Sequence, residues 1–236
     1  MPVLDCIAFD ADDTLWHSEK YYAEAQEQFC AIMEPYGFTR EQALEALHRI
    51  EIENLPYFGY GTKGFIFSMI DAAAEMTGGQ ARGADMKALV DIGRWMAGHE
   101  VILLPGAREA VIHLAERHRL MLITKGELMD QERKIQGSGL AEYFPHIEIV
   151  SDKTVPTYSR LLERHGIAPQ HFLMIGNALR SDILPVLEIG GYAVYVPYDI
   201  LWAHESNVQL PQADGRYHEI ATLHDLPALI EMIERA

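Results

Sequence analysis

The sequence predicts an α/β protein whose parallel sheet is interrupted, after its first strand, by an all-helical module. Three observations carry that expectation. Residues 3–9 form a short apolar run that stops abruptly at Asp10, as a buried strand with a polar exit does. Residues 18–98 hold four stretches with apolar positions three and four apart and no strand-like run between them. From Pro105-Gly106 onward, apolar runs of strand length alternate with helical patterns, which implies parallel strands covered on both faces.

The first helical stretch begins near Tyr21-Tyr22 and the second carries Gln42 to Leu47. The third and fourth cover residues 65–76 and 86–96. Gly37, residues 56–64 and Gly78-Gly79 punctuate them. In the second part a helix over 107–117 precedes a strand over 120–123, and a helix over 128–136 precedes a strand over 147–150. A helix over 154–165 tolerates Pro156 in its first turn and leads to a strand over 172–175. A helix over 180–188, a strand over 192–196 and a closing helix over 227–234 complete the series. The expected division is therefore residues 1–16 and 100–236 for the sheet domain and 17–99 for the helical insert.

The chain of 236 residues is 49% hydrophobic and 23% charged, ordinary for a globular protein that buries a core. With 19 Lys and Arg against 35 Asp and Glu the formal net charge is −16. Such a surface repels nucleic acid and anionic membranes, so neither is expected as a partner. A small anionic substrate stays allowed, because a bound cation reverses the sign inside one pocket. Cys6 and Cys30 form no metal-ligand spacing, and two cysteines suit a reducing compartment. No stretch approaches the ~18–20 apolar residues of a membrane helix, and a cytoplasmic protein is expected. Oligomeric state is not legible.

Ligands of such sheets bind beyond the carboxyl ends of the strands. Those ends read Asp10-Ala11-Asp12-Asp13-Thr14, Thr124-Lys125-Gly126, Ser151-Asp152-Lys153, and Gly176-Asn177 through Asp182. Two carboxylates about 5 Å apart at an effective dielectric of ~20 repel by roughly 3 kcal/mol, so three aspartates within four residues call for a compensating cation. Oxygen donors without a His or Cys cluster favour Mg²⁺. A carboxylate can attack phosphorus when cations hold the phosphoryl oxygens. Asp10 suits the nucleophile and Asp12 the general acid/base, while capping competes with catalysis for Asp13. Thr124 and the amides of Lys125 and Gly126 can hold the phosphoryl group, and Lys153 can neutralise its charge, with Lys125 as competitor.

The order of these segments resembles the haloacid dehalogenase-like hydrolase superfamily, phosphatase type. Asp10-Ala11-Asp12-Asp13-Thr14 matches its first motif, DxDxT/V. Thr124 matches the hydroxyl of its second, Lys153 the lysine of its third, and Gly176-Asn177 through Asp182, with departures, its fourth. The resemblance implies a Rossmann-like core with a helical cap inserted after the first motif, and a phospho-aspartyl intermediate. It also implies Mg²⁺ held by the Asp10 carboxylate, the Asp12 backbone carbonyl and a fourth-motif acid. Asn177 stands where that acid is usual. It offers an oxygen without charge, so Asp182 is expected to supply the missing negative charge, directly or through water.

Gly59-Tyr60-Gly61-Thr62-Lys63-Gly64 fits GxGxxG, but it follows a helical pattern rather than a strand, so no dinucleotide site is expected. Read as a cap loop, it offers Tyr60 and Lys63 as substrate contacts. The expected activity is hydrolysis of a small phosphorylated metabolite. A 2-haloacid dehalogenase, a phosphomutase and a non-catalytic phosphate-binding module are the alternatives. Dehalogenases of this kind keep no acid at the Asp12 position, and a non-catalytic relative has no need of Asp10.

Overall fold

The computed structural model describes residues 4–200 and 215–235. It forms two compact units. One comprises Met1–Glu19, Val101–Lys125 and Glu132–Ala236; the other comprises Lys20–Glu100 together with Gly126–Gln131. The segment 126–131 therefore groups with the helices, outside the 17–99 expected from the sequence.

In the first unit, six parallel strands run in the order β3-β2-β1-β4-β5-β6. They are β1 Cys6–Phe9, β2 Leu120–Lys125, β3 His146–Val150, β4 Phe172–Gly176, β5 Tyr192–Tyr195 and β6 Tyr217–Glu219. The helices between them are α5 Ala107–Ala115, α6 Leu128–Ser138, α7 Val155–His165, α8 Leu184–Glu188 and α9 Leu226–Arg235. Successive side chains of a strand point to opposite faces. Ile7 and Phe9 join Leu122, Leu173 and Ile175 beneath α5 and α9. Cys6 and Ala8 join Met121, Ile123 and Met174 against Tyr158, Leu161 and Leu162 of α7. Both faces of β1, β2 and β4 are covered by apolar side chains, which is why these strands read as continuous apolar runs.

Registry aligns the strand ends. Phe9 lies opposite Leu122 of β2 and opposite Ile175 of β4. The strand order reverses at β1, so Asp10 leaves the sheet at the crevice where ligands of open parallel sheets bind. β6 was not expected. It has three residues, none of them in an apolar run, and among the described residues it pairs with β5 alone.

The second unit contains α1 Glu19–Met33 from Lys20 onward, then α2 Arg40–Phe58, α3 Thr62–Met76 and α4 Gly83–Gly98. Phe29, Met33, Leu47, Ile50, Phe65, Met69, Leu89 and Ile92 form its core. Thr39 starts α2 with a reciprocal capping box to Gln42. α2 continues through Pro56, where the sequence suggested a break. Pro56 stands in the last turn and has no N–H to donate to the Ile52 carbonyl one turn back, and the helix ends two residues later. Among the described residues no helix is long and apolar enough to cross a membrane.

Candidate active site

Asp10 follows the last residue of β1, and its backbone N–H donates to the Ile175 carbonyl at 2.8 Å, tying it to β4. Its carboxylate is buried. Thr14 Oγ1 donates to Asp10 Oδ2 at 2.9 Å, and the Lys153 ammonium donates to Asp10 Oδ1. Lys153, only 3% exposed, also donates to Asp182 Oδ1 at 2.7 Å. Burial works to pull its pKa down, but the two carboxylates outweigh it and push it up to about 12. Asp182 is raised, by burial first and by the Asp10 charge beside it, against the opposing pull of Lys153. Two buried carboxylates thus share one ammonium, leaving one negative charge uncompensated.

The remaining fourth-motif residues divide the work. Leu179–Ile183 forms a π-helical turn before α8 and turns Asp182 back toward the end of β4. Asp182 Oδ2 accepts the Ala178 N–H at 3.0 Å. Thr14 Oγ1 lies 3.3 Å from Asn177 Oδ1, so this hydroxyl links Asn177 to Asp10. Gly176 is required for the arrangement: a Cβ there would lie 2.3 Å from Asp182 Cγ and Oδ2. Gly176→Ala is expected to displace Asp182 from Lys153, costing about 1–3 kcal/mol as overpacking does and most of the activity. Thermal unfolding and a phosphatase assay on the same preparation check this. An unchanged midpoint with full turnover would contradict it.

Thr124 is buried at the end of β2, with its hydroxyl 3.5 Å from its neighbour's carbonyl. That distance makes a weak bond and leaves the oxygen available to a ligand. Lys125 Nζ donates to Ser181 Oγ at 2.9 Å, whereas Lys153 is the lysine on Asp10. Gly126, at φ 144°, belongs to the helical unit, where a Cβ would meet the Gln131 side chain at 2.7 Å.

Asp12 points to different partners. Its carboxylate accepts from Lys134 at 2.8 and 2.6 Å and from the Trp16 indole at 2.7 Å. Asp13 takes the capping role: at φ 61° its carboxylate accepts the Ser18 and Glu19 N–H groups at 2.8 and 2.9 Å, at the start of α1. Burial pushes its pKa up to about 7, with the Asp12 and Asp10 charges adding to the effect. Lys134 and Trp16 were not singled out from the sequence, Ser181 lay unassigned inside the fourth-motif segment, and Thr14 was read as the last residue of the first motif without a role of its own.

In the helical unit, Gly59 at φ 68° and Gly61 at φ 114° shape the loop that holds Tyr60. A Cβ on Gly61 would press on Glu127 at 3.2 Å. Lys63 pairs with Glu127 at 3.0 Å and is largely exposed. The sequence offered Lys63 for substrate; here its ammonium is engaged by an acid.

The donor set suits a hard cation. Asp10 and Asn177 present side-chain oxygens joined through Thr14, the Asp12 carbonyl follows along the chain, and one carboxylate in this cluster lacks its own counter-charge. Among the described residues no three His, Cys, Asp or Glu side chains converge as a metal site. A set built from one carboxylate, a backbone carbonyl and an amide is consistent with that.

A family profile described as haloacid dehalogenase-like hydrolase matches residues 4–190. A haloacid dehalogenase-like family hydrolase from Xanthomonas campestris, solved as a crystal structure, is 37% identical, with a TM-score of 0.87 over 100% of this chain and 98% of that one. The glyceraldehyde 3-phosphate phosphatase of Pyrococcus furiosus is 27% identical over 56% of this chain and 55% of its own length. The N-acylneuraminate-9-phosphatase of Mus musculus is 26% identical over 57% and 54%. The chain thus spans about half the length of these two curated relatives.

Proposed function

The chain belongs to the haloacid dehalogenase-like hydrolase family, and from that premise we propose that it is a Mg²⁺-dependent phosphatase of small phosphorylated metabolites. The observation that carries this reading is the buried Asp10 carboxylate at the switch point of the sheet, with Lys153 on one oxygen and Thr14 on the other. Asp10 attacks phosphorus, the bond to the leaving oxygen breaks, and Asp12 gives that oxygen its proton. Water then attacks the phosphoryl group on Asp10 and loses its proton to Asp12, which frees Asp10 and inorganic phosphate. Thr124 and the Lys125 amide hold the phosphoryl oxygens, joined on the resemblance by the Gly126 amide. Lys153 neutralises charge on Asp10 throughout.

Asp10, the Asp12 carbonyl and Asn177 would hold Mg²⁺, which supplies positive charge to the phosphoryl oxygens. Asp182 contributes negative charge while keeping Lys153 in place. The helical unit is assigned the role of cap, and Tyr60 and Lys63 that of substrate contacts, on the resemblance alone. Two phosphatases of phosphorylated sugars or sugar acids among the relatives support a substrate of that class.

The test is phosphate release from p-nitrophenyl phosphate, followed by glyceraldehyde 3-phosphate and N-acylneuraminate 9-phosphate. Release is expected with Mg²⁺, lost with EDTA and restored by excess Mg²⁺. Release indifferent to EDTA would remove the metal from the mechanism. No release from any of the three, with Mg²⁺ or Mn²⁺, would count against the phosphatase reading.

A further inference from the structure

The two motif aspartates stand two residues apart, yet each has its own lysine. Lys153 serves Asp10, whereas Lys134 of α6 places its ammonium 2.8 and 2.6 Å from the two oxygens of Asp12. Trp16, buried in the core beneath the site, donates its indole N–H to Asp12 Oδ1 at 2.7 Å. The Trp16 backbone is itself fixed by a bridge to Leu103. The pair is mostly withdrawn from solvent, with side-chain exposures of 18% for Lys134 and 26% for Asp12. It differs therefore from a surface ion pair, whose partners hold each other loosely. An aspartate has two side-chain torsions. Three donated bonds from two separate parts of the chain fix both.

We infer that Lys134 is a positioning residue for catalysis: with Trp16 it sets the direction of the Asp12 carboxylate that exchanges the proton. The inference rests on the reading of Asp12 as the general acid/base. Lys134 meets the site at the two oxygens of Asp12, and its effect on the reaction runs through that carboxylate. An enzyme without it keeps nucleophile, Lys153 and Thr124, and loses the aim of its proton donor.

A leaving-group comparison tests this. Phenolate is a poorer leaving group than p-nitrophenolate and depends more on a well-aimed proton. Lys134→Met is expected to lower kcat/KM for phenyl phosphate about tenfold more than for p-nitrophenyl phosphate, a fraction of the usual worth of a general acid. Lys134→Arg, which keeps the cation and the paired donors, is expected to restore most of the loss. In an Asp12→Asn background, Lys134→Met should change p-nitrophenyl phosphate turnover less than about twofold, because coupled residues are not additive. Equal loss on both substrates, or the same loss with and without Asp12, would overturn the inference and leave Lys134 a structural residue. If the methionine variant fails to fold, Lys134→Gln carries the same comparison. Failure of the underlying reading shows separately, as phenyl phosphate turnover that survives Asp12→Asn.

Discussion

Asp10→Asn is expected to abolish turnover while leaving the protein folded. An amide is a far weaker nucleophile than a carboxylate. It fills the same volume and keeps one of the two bonds that Asp10 accepts, from Thr14 or from Lys153, with its NH2 group at the other. The expected fall in kcat is about 10⁴-fold or more, equivalent to about 5 kcal/mol of barrier. Stability should hold or rise. Asp10 and Asp182 now share one ammonium, and removing one charge leaves Lys153 and Asp182 as a matched pair. Steady-state kinetics and a thermal melt on one preparation read both quantities. Mass spectrometry of acid-quenched protein should find a phosphoryl group on the wild-type chain and none on the variant. A variant retaining more than about one hundredth of the wild-type kcat would place the nucleophile elsewhere.

The strand ends were legible because burial on both faces makes strands of unbroken apolar residues, and such runs stop where chemistry begins. Residues 3–9 and Asp10 are the clearest case, and Thr124 and Gly176 follow the same logic. The partners of the site were legible only where a motif named them. Lys153 lies 143 residues from Asp10 in sequence, and nothing local separates it from Lys125; the fold places Lys153 on Asp10 and Lys125 on Ser181. Lys134 sits in Asp130-Gln131-Glu132-Arg133-Lys134, a run that reads as a solvated helix face, and only packing reveals that it reaches Asp12. Asp182 was expected to offer its charge to a metal. Its two oxygens accept from Lys153 and the Ala178 N–H, where the π-helical turn folds it back over Gly176. Both fourth-motif side chains are joined to Asp10, uncharged Asn177 through Thr14 and Asp182 through Lys153. β6 was illegible because an outer strand of three residues, two of them polar or charged, needs no apolar run.

Lys153→Met removes the cation rather than the nucleophile, and its expected signature is the reverse of that of Asp10→Asn: activity and stability fall together. Lys153 is almost wholly enclosed, and two carboxylates depend on it. Breaking such a pair strands buried charge, at a cost of about 3–5 kcal/mol. For a chain of this length that corresponds to a drop in Tm on the order of 10 °C. Turnover should be lost as well, since the cation held against Asp10 throughout the reaction is then missing and Mg²⁺ is left to offset the building charge alone. The origin of the instability can be isolated with a second change. Asp182→Asn added to Lys153→Met removes one of the stranded charges, and it should recover a large part of the lost Tm without recovering activity. Recovery of both would mean that Lys153 serves only to balance Asp182. Recovery of neither would mean that the methionine fails by packing, and that the shared ammonium is not what holds these strand ends together.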